Sequence, residues 1–231
     1  MSCEKHVDHG RRRLLAGGSI VAAGAWVAPS VLTLDRVAAA TGSCGAAPIQ
    51  VDWSDYATNS AAPSSVTAND GTIVTLSSSD PFDVAGPRHF TARTEPYGGV
   101  QGFLASEMVG GNNGEYVEIT LAFSKPVQLC FILLDVDRRL NRWEDTVILN
   151  GTLSAVPVTL TSADIVTGPA NTFVADNTIR GILDSNTPVS SADANATITY
   201  PSEIDNLVVR HSDITSWTSG QIIGIFDLLW C

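Results

Sequence analysis

Four carboxylates, Asp135, Asp137, Glu144 and Asp145, fall within eleven residues of chain. Residues i and i+2 of a strand share a face, so Asp135 and Asp137 are expected to point the same way at a strand end, with Glu144 and Asp145 opening the next strand. Oxygens converging on one rim suit Ca²⁺, which takes roughly six to eight oxygen ligands, and calcium is the one cofactor this pattern implies. The plainer reading is a set of solvated rim acids partly paired with Arg138, Arg139 and Arg142. The segment lacks the Gly-punctuated acidic loop of an EF-hand, and both readings stay open.

Aromatic side chains are the second group with chemistry to offer, because sugar rings stack on aromatic faces. Trp53, Tyr56, Tyr97, Trp143 and Trp217 fall at expected strand ends or in loops, where binding residues concentrate. Trp143 stands between Arg142 and Glu144, and Trp217 among Ser216, Thr218 and Ser219. Tyr97, Trp143 and Trp217 are therefore the candidate ligand contacts, with core plugs capping the fold as the alternative. Trp230 reads as core.

Hydrolysis needs a different signature. Beyond the first forty residues the only histidines are His89 and His211, and there is neither a GxSxG elbow nor an HExxH helix. His211 with Asp213 would make a base, but no nucleophile is marked, and no catalytic residue is assigned. A polysaccharide hydrolase using two acids about 5 to 10 Å apart is the alternative function.

The elements that must position these groups are strands. From Tyr116 to Ser124, Val117, Ile119, Leu121 and Phe123 alternate with Glu118, Thr120 and Ala122, the mark of one buried and one exposed face. Lys125-Pro126 is expected to break that strand, and the apolar run Val127 to Val136 to follow as a strand covered on both faces, the two forming a hairpin. Further strands are expected at 49–53, 71–77, 102–108, 146–149, 156–160, 194–200, 204–210 and 221–230, separated by turn-rich segments such as 110–114. Residues 198–213 echo 119–135 around Pro201, which reads as a second hairpin. Short strands at this spacing predict an all-β, two-sheet antiparallel sandwich of jelly-roll type.

The N-terminus carries a secretory pattern. Arg11, Arg12 and Arg13 precede an uncharged stretch from Leu14 to Leu34, and Ala38, Ala39 and Ala40 supply a small-x-small cleavage site. The arginine pair followed by Leu14 and Leu15 resembles a twin-arginine export signal, departing from it at Gly10 and Ala16. Arg36 ahead of the cut is also similar to that family. The resemblance implies passage through the twin-arginine machinery in the folded state and a secreted or envelope location, with no membrane contact after cleavage. An uncleaved anchor, or acylation at Cys44, are the alternatives. The expected organisation is a signal over 1–40, a linker over 41–47 and a sandwich domain over 48–231.

Removing residues 1–40 takes five of the 13 basic and three of the 24 acidic residues, leaving 8 against 21, a net charge of −13. That sign opposes nucleic acids and anionic membranes. Three cysteines remain, Cys44, Cys130 and Cys231, enough for one disulfide. Cys130 lies in an apolar run where a free thiol behaves as a small hydrophobe. Domain termini are often close, so Cys44 to Cys231 is the expected pairing and Cys130 to Cys231 the alternative.

Val51-Asp52-Trp53-Ser54, Phe123-Ser124-Lys125-Pro126-Val127, Phe131 to Asp137, Asp145-Thr146-Val147 and Ile222-Ile223-Gly224-Ile225 together resemble β-sandwich modules of bacterial secreted and surface proteins. Similar modules occur in proteins with PEP-type sorting tails and in the binding heads of fibrillar adhesins. The resemblance implies an exported module for carbohydrate binding or adhesion, its partner an extracellular glycan or a surface protein.

Overall fold

Alternation at Tyr116–Ser124 produces the burial its period demands: Val117, Ile119, Leu121 and Phe123 are buried, while Glu118, Thr120 and Ala122 are half-buried. This strand is the reference for the fold. The structure is a computed structural model, and it describes residues 49–56, 59–109, 112–139, 142–182, 188, 191–213 and 220–230. The export motif Arg11, Arg12, Leu14 and Leu15, the cleavage residues Ala38 and Ala40, and Cys44, Trp217 and Cys231 lie outside the described residues.

The strands in chain order are β1 (Ile49–Val51), β2 (Ser60–Ala61), β3 (Ser65–Thr67), β4 (Ile73–Ser79), β5 (Thr91–Arg93) and β6 (Phe103–Met108). Next come β7 (Tyr116–Val127), β8 (Cys130–Leu134), β9 (Arg138–Arg139), β10 (Trp143–Leu153), β11 (Val156–Val158) and β12 (Ile165–Thr167). The last are β13 (Asn171–Phe173), β14 (Thr178–Gly181), β15 (Ala196–Thr199), β16 (Ile204–Asp213) and β17 (Gln221–Trp230). The one helical element among the described residues is a 3₁₀ turn at Trp53–Asp55, capped by the Asp52 carboxylate.

They build two antiparallel sheets. One runs β13-β14-β10-β16-β7-β4-β3, with β9 and β11 also on β10, and the other runs β12-β15-β8-β17-β6-β5-β2, with β1 on β17. The inward residues of both, among them Leu121, Val147, Leu207, Phe131, Leu133 and Ile225, make one core between the sheets. Trp53 and Trp230 belong to it, Trp230 edge-on to Phe123. The chain is thus the all-β, two-sheet sandwich that the strand spacing implies.

The expected hairpin of β7 and β8 does not form. β7 pairs with β4 and β16 in the nine-stranded sheet, whereas β8 pairs with β15 and β17 in the other. β7 also continues through Lys125-Pro126 to Val127, because Pro126 falls where the register with β16 shifts between Ala122↔Asn206 and Val127↔Ile204. At such an irregularity no ladder N–H is demanded of the proline. Residues 200–203 cross back from β15 to β16 alongside, with Tyr200 N–H donating to the Leu129 carbonyl at 2.9 Å. The echo around Pro126 and Pro201 is a pair of stacked corners between sheets. Leu129 and Tyr200 at these corners are fully buried, so turning into the core gains apolar burial that a solvent-side hairpin turn would lose.

Cys130 is buried in β8.

Candidate functional site: the acidic rim

The rim begins where β8 ends. Asp135 takes φ +59, a left-handed conformation that aspartate tolerates better than most residues, and this turns the chain out of the sheet. Asp135 and Asp137 are therefore not i and i+2 of one strand, and it is the turn that carries both to the rim. Val136 between them is buried, its N–H donating to the Ala194 carbonyl at 2.8 Å. β9 then pairs back on β10, setting Glu144 opposite Arg138 and Trp143 opposite Arg139.

The four acids are brought together, but their oxygens are turned to separate tasks. Glu144 lies against Arg180 and, at 3.3 Å, Arg138. Asp145 Oδ2 accepts from the Asp137 backbone at 3.2 Å, while its Oδ1 lies 3.4 Å from His211 Nε2. Asp137 Oδ1 accepts from the Trp143 indole N–H at 2.9 Å. Among the described residues no group of three or more His, Cys, Asp or Glu is arranged to hold a metal ion.

Strand alternation adds two members that short-range spacing did not connect to the rim. β16 buries Ile204, Leu207, Val209, His211 and Asp213 on one face, so its last two inward positions are polar. Asp213 does not orient His211, as the neighbouring positions suggested. It accepts from the Glu144 backbone at 3.0 Å and from the Gln221 amide at 2.6 Å, and the imidazole turns to Asp145. Polar residues continuing an apolar period were the available signal, since a buried polar group needs a partner from elsewhere in the fold.

The shared burial sets the protonation. Burial, with the charges of Asp137 and Asp145, raises Asp135 to about 7 against the opposing pull of the Tyr97 hydroxyl. Burial, with Asp137 next, pushes Asp145 well above the carboxylate range. Burial also lowers His211 to about 4, and burial together with His211 lowers His89 to about 4. Between about pH 4 and 7 this arrangement holds protons on Asp135 and Asp145 and keeps the imidazoles of His89 and His211 neutral.

The candidate aromatic contacts separate. Tyr97 is 8% exposed, stacks on Phe103 and donates its hydroxyl proton to the Ile222 carbonyl at 2.8 Å, which is a packing position. Trp143 is half-buried, with the Arg139 guanidinium 5.6 Å from its ring centroid. Exposed aromatic surface lies instead at Phe82, 45% exposed, whose ring meets Tyr116 edge-on at 5.1 Å.

No protein-family model, no curated protein and no solved structure matches this chain.

Proposed function

We propose that this is an exported binding module that recognises an extracellular glycan. The observation that carries this reading is the unequal treatment of the two outer sheet faces. On the eight-stranded sheet, Ile222 and Phe226 alternate with the core residues Ile223 and Ile225, and they are covered by Tyr97 and Val100 in a second apolar cluster. On the nine-stranded sheet the outward positions of β4, β7 and β16, including Thr75, Ser77, Glu118, Thr120 and Asn206, are exposed or half-buried. A face on which hydroxyls, Asn206 and paired charges outnumber the apolar Ile73, Ala122 and Val208 stays solvated without a partner and suits the hydroxyl-rich surface of a saccharide. Export by the twin-arginine route, read from Arg11 to Leu15, would deliver the folded domain to such ligands.

Glycan-array binding of the purified mature protein, with and without EDTA, tests the reading. Saccharide binding unchanged by EDTA is the expected result. Absence of binding together with turnover of a polysaccharide would establish the hydrolase alternative in its place.

A further inference from the structure

One exposed apolar ring is held in a fixed place, and the reason is local. The Asp80 carboxylate accepts from the backbone N–H groups of Val84 at 2.9 Å and Ala85 at 2.8 Å, closing the 80–85 loop on itself. Pro81 restricts the entry to the loop, and Asp83 takes φ +58 beyond its tip. Phe82 is the side chain this loop presents. The ring stays 45% exposed, so the loop forgoes part of the apolar burial that a core position would gain.

The support beneath the ring is equally defined. Tyr116, at the start of β7, meets Phe82 edge-on, and the Arg210 guanidinium lies 3.9 Å from the Tyr116 centroid. Arg210 reaches Glu118 Oε1 through Nε at 2.9 Å and Nη2 at 2.8 Å, while Glu118 Oε2 accepts from the Ser79 hydroxyl at 3.1 Å. Ser79, Glu118 and Arg210 are cross-strand neighbours on β4, β7 and β16, so the chain of contacts runs straight across the sheet.

We infer that Phe82, Tyr116, Arg210, Glu118 and Ser79 form a platform for one pyranose ring of a neutral glycan. The inference deepens the binding reading above and rests on it. The electron-rich face of a phenyl ring attracts the polarised C–H groups on one face of a pyranose. The N–H groups of Arg210 not turned to Glu118, and the Ser79 oxygen, can then bond sugar hydroxyls without rearrangement. A protein partner would call for a wider apolar centre, whereas the next cross-strand row of the sheet sets Ser77 and Thr120 beside a single apolar residue, Val208. A uronate polymer would meet a domain of net charge −13.

The test is affinity electrophoresis of the mature protein in gels containing hydroxyethylcellulose, galactomannan, xylan or polygalacturonate, with Phe82→Ala and Trp143→Ala compared and melting temperatures checked. The expected result is retardation by a neutral polysaccharide that weakens about tenfold in Phe82→Ala, a loss near 1.4 kcal/mol, and persists in Trp143→Ala. Retardation that Phe82→Ala leaves intact would overturn the platform while the glycan reading stands. No retardation in any gel would overturn both, and stronger retardation by polygalacturonate would overturn the neutral class. Binding to cell walls that survives periodate but not protease would assign the face to a protein and overturn the inference.

Discussion

His211 Nε2 lies 3.4 Å from Asp145 Oδ1, and both side chains are sealed from water, at 0% and 3% exposure. A histidine and an acid so enclosed exchange their usual protonation, and the exchange has a pH signature. Between about pH 4 and 6.5 the folded protein holds protons on Asp135 and Asp145, while the unfolded chain holds them on His89 and His211, so these four groups leave stability nearly flat. Above the ordinary imidazole value of 6.5 the unfolded chain has shed its protons and the folded one has not. Stability is therefore lost as pH rises through about 7 for Asp135 and higher for Asp145. On the acid side, Asp70, Asp80 and Glu95 are lowered: desolvation opposes the shift, but Lys125 and Thr72, backbone N–H groups, and Arg93 respectively outweigh it. Their stabilisation is lost as pH falls below their ordinary values.

Thermal melts from pH 3 to 9 should accordingly show a maximum near about pH 5 to 6 and a decline toward pH 8. Asp135→Asn, which also tolerates a positive φ, should flatten part of the alkaline limb. A melting temperature that rises steadily to pH 8 would contradict the protonation described for the rim.

Gly181 at the end of β14 is pressed against the Asp137 backbone, so that a Cβ there would overlap the Asp137 carbonyl. The neighbour is main chain and cannot rotate away. Gly181→Ala should destabilise the domain by roughly 2 kcal/mol or more, measured by urea titration, with the Trp143 to Asp137 hydrogen bond disturbed in fluorescence. An unchanged midpoint would mean that β14 moves away from the rim without cost.

Cys130 pairs with Leu229 across β8 and β17, and Cys231 follows two residues later in sequence. Peptide mapping without reduction should therefore recover Cys130 joined to Cys231. Reduction should cost roughly 2–4 kcal/mol of stability. Recovery of Cys44 joined to Cys130 would refute the pairing.

β17 occupies the middle of its sheet, between β8 and β6, with all ten residues buried. That sheet cannot close until residue 230 has been made, so folding follows synthesis of nearly the whole described chain. A stop codon at Gln221 should abolish both cooperative melting and export. Arg11→Lys with Arg12→Lys in the intact chain should abolish export alone, leaving folded protein in the cytoplasm; secretion of that variant would remove the twin-arginine assignment.

The strand pattern was legible because alternation is local. Val117 to Phe123 carry their burial in their alternation, Gln221 to Trp230 in a largely apolar run buried on both faces, and the sandwich follows from many such strands. The crowding of Asp135, Asp137, Glu144 and Asp145 was also legible, since they are close along the chain. Their partners were not. His211 and Asp213 reach the rim only because β16 pairs with β10 in one register, and Gln221 reaches Asp213 from the other sheet.

The sequence by itself determined the strand periodicity, the apolar faces, the acidic surplus and the expectation of export, because each depends on residue type and near neighbours. The tertiary structure decided that β7 and β8 part into different sheets, that Tyr97 packs while Phe82 is shown to solvent, and that the rim acids bond inward. Those outcomes depend on which distant strand lies alongside, and pairing between strands is set by the burial of the whole core.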